Sequence, residues 1–214
     1  MRVPRRVAAF LTKRLMRITK VRAPDEVIGP GVRSRLRDGH VPVDKAFLHR
    51  WFVIPKNKWC NIYLHCFTHD DDEDRALHDH PWWNVSLLLD GSYIEHSIAK
   101  GGVHHRQILI AGDLKFRAPW DAHRVECLKR RVPRCKSRNP RTIEAALAVG
   151  DFDLEPIPCW SLFITGPVQH GWGFHCPGEW RSQKDFAAKG GCGKEDYAPD
   201  GQLRGYHHDD IVAD

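Results

Sequence analysis

Residues 76–96 read ALHDHPWWNVSLLLDGSYIEH. His80–Leu89 and Tyr93–Ile98 are β-rich runs on either side of Asp90-Gly91, and an Asp-Gly pair in that setting predicts a tight hairpin turn. Just ahead stand His78 and His80, two imidazoles at i and i+2. On a strand such residues point to one face. They can share one ion if a third ligand arrives from a neighbouring strand. Trp82 and Asn84 have the same parity as His80.

Outward from this stretch, short runs of Val, Ile, Leu and aromatics recur at intervals of about ten residues. Arg50–Ile54, Asn61–Thr68, residues 105–110, Leu114–Phe116, His123–Leu128, Trp160–Thr165 and Trp172–Cys176 read as strands bounded by Gly, Pro and Asp. Many short strands with little helix between them indicate a sandwich or closed barrel. The barrel is placed at 48–180. Residues 129–157 break the rhythm and read as an insertion with a short helix over Thr142–Val149. Residues 1–47 comprise a basic helix over 1–22 and an irregular lead-in with Pro24, Gly29, Pro30, Gly31 and Pro42. Residues 181–214 form a polar tail. The acidic run Asp70–Asp74 lacks the glycine and the final glutamate of an EF-hand and reads as a solvated loop.

The motifs resemble those of the cupins. The first cupin motif has HxH, three or four residues, Glu, six residues and Gly. Here it runs His78-x-His80, three residues, Asn84, six residues, Gly91, with Asn84 in place of Glu. The second motif is matched more loosely by Gly112 and by Pro119-Trp120-Asp121-Ala122-His123, where Asp121 stands for a Gly and the spacing to His is one residue short. The central region is also similar to little-characterised cupin-like proteins of phages and prophages. This likeness rests on 76–96, on His123-Arg124-Val125-Glu126 and on LFITGPVQHGWGFHCP at 162–177.

The resemblance implies an all-β fold, a double-stranded β-helix or jelly-roll barrel, with one divalent transition metal on His78, His80 and His123. Asn84 is then a weak, neutral fourth ligand. Imidazole suits iron first, with nickel, zinc or manganese as alternatives. Three protein ligands leave open positions for a small-molecule substrate. A three-histidine set is akin to that of thiol dioxygenases, so a dioxygenase-like enzyme is the first functional expectation. HxH lacks the carboxylate that 2-oxoglutarate oxygenases use. Barrels of this class pair through strand edges, so a homodimer is expected.

Around the metal, Tyr63 and His65 share a parity, and Trp82, Trp120 and Phe163 are candidates for pocket walls, with core packing as the alternative for each. Tyr63 and His175 are the candidate catalytic groups, His175 as an acid or base. Arg124 and Glu126 have the opposite parity from the metal-facing positions and are expected to pair with neighbours.

Composition sets the outer limits. The 214 residues are 42% hydrophobic and 28% charged, with a net charge of +6. No apolar run approaches the roughly 20 residues of a membrane span. The seven cysteines are odd in number and contain no CxxC pair, which predicts reduced thiols in a cytoplasmic protein. The N-terminal segment lacks the apolar core of a secretory signal. It carries Arg2, Arg5, Arg6, Lys13, Arg14, Arg17, Lys20 and Arg22 with no acid, and a second basic cluster lies at 129–141. These segments support a second function class: a non-catalytic metal- or ligand-binding module that docks nucleic acid or a protein.

Overall fold

The computed structural model describes residues 1–29, 32–35, 46–70, 76–98, 102–176, 178–189, 191 and 192. The rest of the acidic run beyond Asp70 and most of the polar tail fall outside these residues. Helix α1 is Arg5–Val21. The strands are β1 Glu26–Gly29, β2 Val32–Arg35, β3 Leu48–Phe52, β4 Asn61–Phe67, β5 Leu77–His78, β6 Asn84–Asp90, β7 Ser92–Ile98, β8 His104–Ile110, β9 Leu114–Arg117 and β10 His123–Cys127. Then follow β11 Lys129–Pro133, helix α2 Pro140–Ala148, β12 Phe152–Pro156, β13 Cys159–Thr165, β14 Gly173–Cys176, β15 Glu179–Ser182 and helix α3 Gln183–Lys189.

One sheet has the order β2-β1-β3-β4-β13-β6-β9 and the other β15-β14-β5-β10-β7-β8, every pairing being antiparallel. From β4 onward the chain crosses repeatedly between them. The quartet β4-β13-β6-β9 therefore faces the quartet β5-β10-β7-β8, which is the double Greek key of a jelly roll. The fold is an all-β double-stranded β-helix.

Several details differ from the sequence expectation. Asp90-Gly91 is not a hairpin turn. β6 lies in one sheet between β13 and β9, and β7 lies in the other between β10 and β8. With both edges of β6 occupied, β7 has nowhere to pair, and Gly91 forms the corner between sheets at φ 78°. The lead-in contains β1 and β2, and β1 joins the barrel through β3, with Glu26 opposite Arg50. Beyond the expected last strand come β15 and α3. Cys176 and Cys192 form a disulfide, while Cys60, Cys66, Cys127, Cys135 and Cys159 are free thiols. The reduced state expected for all seven is thus corrected for this pair, which folding brings together across 16 residues of sequence. The insertion is an arm: β11 pairs with β12, and α2 spans their far ends, capped by the Asn139 side chain.

The two faces of the larger sheet differ in kind. Outward it presents Trp51, Leu64, Cys66, Leu87 and Leu89, and Leu11, Leu15 and Ile18 of α1 pack on them. Inward, strand alternation and register place Glu26, Arg50, His65 and Ser161 in one row. Tyr63, Phe163 and Ser86 form the next row, and Thr165, Asn84 and Arg117 a third. Leu88, Tyr93, Leu109, Val125 and Cys159 form an apolar cluster that fills part of the interior.

A Cβ at residue 91 would lie 2.9 Å from the Cys159 Cβ and 3.0 Å from the Pro158 carbonyl oxygen. Gly91→Ala should therefore lower stability by about 1–3 kcal/mol, from left-handed backbone strain and this clash. Urea unfolding checks it.

Candidate metal centre

β5 pairs with β10 so that His78 and His123 are direct cross-strand partners. Such partners on one face hold their Cβ atoms about 5 Å apart. His80 lies beyond the end of β5, where its backbone N–H donates to the Pro119 carbonyl at 3.3 Å. A continuous strand through both histidines is therefore not what unites them. Ring centroids are 5.2 Å apart for His78–His80, 4.9 Å for His78–His123 and 5.0 Å for His80–His123. One ring nitrogen from each lies within 4.8 Å of the others. Those of His80 and His123 are both Nε2, at 2.8 Å.

Burial keeps the His80 and His123 rings neutral. It pushes the His123 imidazole down to about 4, helped by Arg117 and opposed by Glu95. His80 is held well below its ordinary value by burial first and then by His123, His78, Arg117 and Arg50. A neutral imidazole offers a lone pair, which is the form a metal takes. His78 and His123 are buried and His80 is half-buried, so the accessible side of the cluster is at His80. The three nitrogens fit a divalent ion in number, charge and spacing.

The surroundings are charged but balanced. Glu95 Oε1 lies 3.6 Å from His123 Nδ1, on the side away from the cluster. Glu95 also pairs with Arg117 and, at 3.2 Å, with Lys115. Burial pushes its carboxyl up, but Arg117, His123 and Lys115 outweigh this and hold it far below the usual carboxylate range. Arg117 Nη1 donates to Asn84 Oδ1 at 3.3 Å. Asn84, at the position of the motif's Glu, thus engages an arginine through its oxygen.

The pocket candidates divide. His65 Nε2 accepts from Arg50 Nε at 2.9 Å, and its ring stacks on Phe163 at 4.9 Å. Phe163 in turn lies 5.6 Å from His80, and Trp82 stacks on His80 at 6.3 Å. Tyr63 stacks on His65 at 5.8 Å, under the Arg50 guanidinium at 4.7 Å. These side chains form one continuous wall beside His80. Trp120 is elsewhere. It is 59% exposed and stacks on His170 at 3.6 Å.

His175 is opposite Leu77 on β5, whereas its neighbour Phe174 is opposite His78. Its ring is on the far face of the strand from the cluster, and Nε2 meets Asp79 Oδ2 at 3.2 Å. Glu126 pairs with His96 at 2.7 Å, and Arg106 and Arg124 lie within 3.5 and 4.0 Å of it, on the face away from the cluster.

Four contributors escaped sequence reading: Glu95, Arg117, Arg50 and Asp79. Asp79 is the x of HxH and so faces away from the rings. It is fully buried and accepts from the Gly173 N–H at 3.0 Å, His175 at 3.2 Å and Trp180 Nε1 at 2.7 Å. Burial pushes its carboxyl up, and the bonds from His175, Trp180 and Gly173 overcome this to hold it below its ordinary value. Parity alone would have assigned it to the opposite face. Glu95, Arg117 and Arg50 had no such signal, because their partners come from distant strands.

The strand order is that of a double-stranded β-helix, with His78 brought into it on β5, His80 just beyond and His123 on β10. No protein-family model and no curated protein matches the sequence. Among solved structures, an uncharacterised conserved protein with a double-stranded β-helix domain from Klebsiella pneumoniae shares 15% identity, over 64% of this chain and 86% of that one, with a TM-score of 0.39. An RmlC-like cupin from Shewanella frigidimarina shares 15% identity, over 58% and 79%, with a TM-score of 0.35. An oxalate decarboxylase from Bacillus subtilis shares 11% identity, over 58% of this chain but only 26% of that one, with a TM-score of 0.36.

Asp79→Ala removes the one acceptor shared by three donors. It should cost about 2–4 kcal/mol at neutral pH, the scale of losing charge-assisted bonds from buried donors. Urea unfolding measures this.

Proposed function

We propose that this chain is a metal-dependent enzyme, dioxygenase-like, acting on a small molecule, with iron as its metal. The observation that carries this reading is the convergence of three imidazoles, those of His80 and His123 held neutral by burial, at the edge of a polar barrel interior. His78, His80 and His123 hold the ion. Bound there, iron supplies Lewis acidity, one-electron chemistry and open coordination positions. Trp82 and Phe163 exclude water on the His80 side. Tyr63 and His65 orient the substrate from the same wall, and Arg50 fixes both rings. Among the described residues Trp82 Nε1, Ser161 Oγ and Thr165 Oγ1 are buried without a partner, which favours a polar ligand. His175 acts as a positioning residue through Asp79.

Asn84 serves this site by holding Arg117, and Arg117 holds Glu95 behind His123. Glu95 keeps the proton of His123 on Nδ1, so that Nε2 faces the ion. This is the outer-shell role carboxylates play at metal-bound histidines. A homodimer is supported by β8, which ends its sheet and exposes Ile108 and Ile110.

Protein loaded anaerobically with iron(II) should carry about one ion per chain by elemental analysis, and His123→Ala should carry almost none. Oxygen uptake by the loaded protein across a panel of small thiols and acids should then separate an oxygenase from a passive metal site. Equal metal in both proteins would overturn the reading. Glu95→Gln should weaken zinc affinity by about 10–100-fold in chelator competition, with His96→Gln, on the opposite face of β7, leaving it unchanged. Thermal melts of both variants separate this from loss of fold.

A further inference from the structure

We propose that the outward face of α1 docks the phosphodiester backbone of a nucleic acid, independently of its sequence. The helix is fixed in place by its other face. Leu11, Leu15 and Ile18 pack on the larger sheet, and Thr12 Oγ1 donates to the Leu89 carbonyl at 3.0 Å. Just before the helix, the Val3 N–H donates to the Gly112 carbonyl at 2.8 Å, and the Leu114 N–H to the Met1 carbonyl at 2.8 Å. The opposite face is therefore held outward.

Arg6, Lys13, Arg17 and Lys20 line that face, spaced at 7, 4 and 3 residues, with Arg5 and Arg14 on its flanks. All six are exposed. Spacings of three, four and seven keep side chains on one side of a helix. The stripe from residue 6 to residue 20 is about 21 Å long at 1.5 Å per residue, the length of about six base pairs of duplex. Among the described residues none of these six cations has an acidic partner. Elsewhere the cations are neutralised: Arg2 by Asp113 at 2.7 Å and Arg22 by Asp25 at 3.3 Å.

The second basic cluster behaves differently. Lys129 pairs with Asp70 at 2.9 Å, Arg130 with Glu155 at 3.0 Å and Arg134 with Asp153 at 2.8 Å. Among the described residues three of the seven cations at 129–141 are thus paired with acids, whereas none of the six on α1 is.

A linear array of fixed cations complements a polyphosphate chain. It complements a lipid surface less well. A helix that enters a membrane interface buries its own apolar face there, and the apolar face of α1 is already committed to the barrel. On the outward side Val7 and Phe10 lie near one end and Val21 at the other, and Arg14 covers Phe10 at 5.3 Å.

Fluorescence anisotropy of the full chain with a labelled duplex of about 20 base pairs tests this. Four phosphate contacts predict a log–log salt slope of about −3.6, or about 100-fold weaker binding at 200 mM than at 50 mM salt. The quadruple variant Arg6→Glu/Lys13→Glu/Arg17→Glu/Lys20→Glu should lose at least that factor at 50 mM, while Arg130→Glu/Arg134→Glu should change it by less than about threefold. The milder Arg6→Gln/Arg17→Gln should reduce the slope by about two with an unchanged melting temperature, which keeps the test valid if the quadruple variant misfolds. Absent binding at 50 mM, an unaltered slope in the milder variant, or tighter binding to vesicles with 30% phosphatidylserine than to duplex would each overturn the proposal.

Discussion

Helix α1 covers the outside of the seven-stranded sheet, and this burial frees the inside of the sheet from having to be a hydrophobic core. In a barrel without such a cover, the inner face must supply most of the apolar burial that offsets chain entropy. Here Trp51, Leu64, Leu87 and Leu89 find their apolar contacts outward, under Leu11, Leu15 and Ile18. Arg50, His65, Asn84, Ser161, Thr165 and Arg117 can then occupy inner positions of the same strands. The apolar cluster around Leu88 and Val125 confines the dry packing between the sheets to one region, and the polar remainder is where the histidines meet.

A polar interior imposes a second constraint: its charges must cancel locally. Buried ions are tolerated when paired and hydrogen-bonded. Arg50 is matched by Glu26 at 3.0 Å and Arg117 by Glu95. Arg50 is paired within its own sheet and Arg117 with an acid of the facing sheet. Burial then holds the His80 and His123 imidazoles neutral. The neutrality of these two rings and the pairing of the arginines are therefore two results of the same low-dielectric setting.

The β-rich rhythm, the alternation of strands and the three histidines were legible in sequence, because each rests on local pattern: period-two alternation, turn residues and the HxH spacing. What was not legible depends on which strands become neighbours. Asp90-Gly91 carries a positive-φ signal, but the same glycine serves a hairpin or a corner between sheets, and only the occupancy of the edges of β6 decides. His175 sits on the strand next to His78, one residue past the partner of that histidine, yet its parity sends it to the other face. β1 gains its strand identity from β3, across a segment rich in Pro and Gly that reads locally as irregular. Cys176 and Cys192 have no motif between them, and the turn at β15 and α3 brings them together. Trp120 reads as a pocket wall because it precedes His123 by three, but it stacks on His170 and stands 59% exposed.

The arm bounded by residues 129 and 156 leaves and rejoins the barrel at nearly one point, since the Ile157 N–H donates to the Leu128 carbonyl at 2.7 Å. Its base is pinned like the neck of a hairpin, and β10 and β13 do not depend on what lies beyond it. Ancestral chains could thus have acquired, lengthened or shed this appendage without disturbing the strand order of the barrel. The loop-closure entropy of such changes grows only slowly with length. The appendage can accordingly change in length while the histidine end of the barrel keeps its geometry.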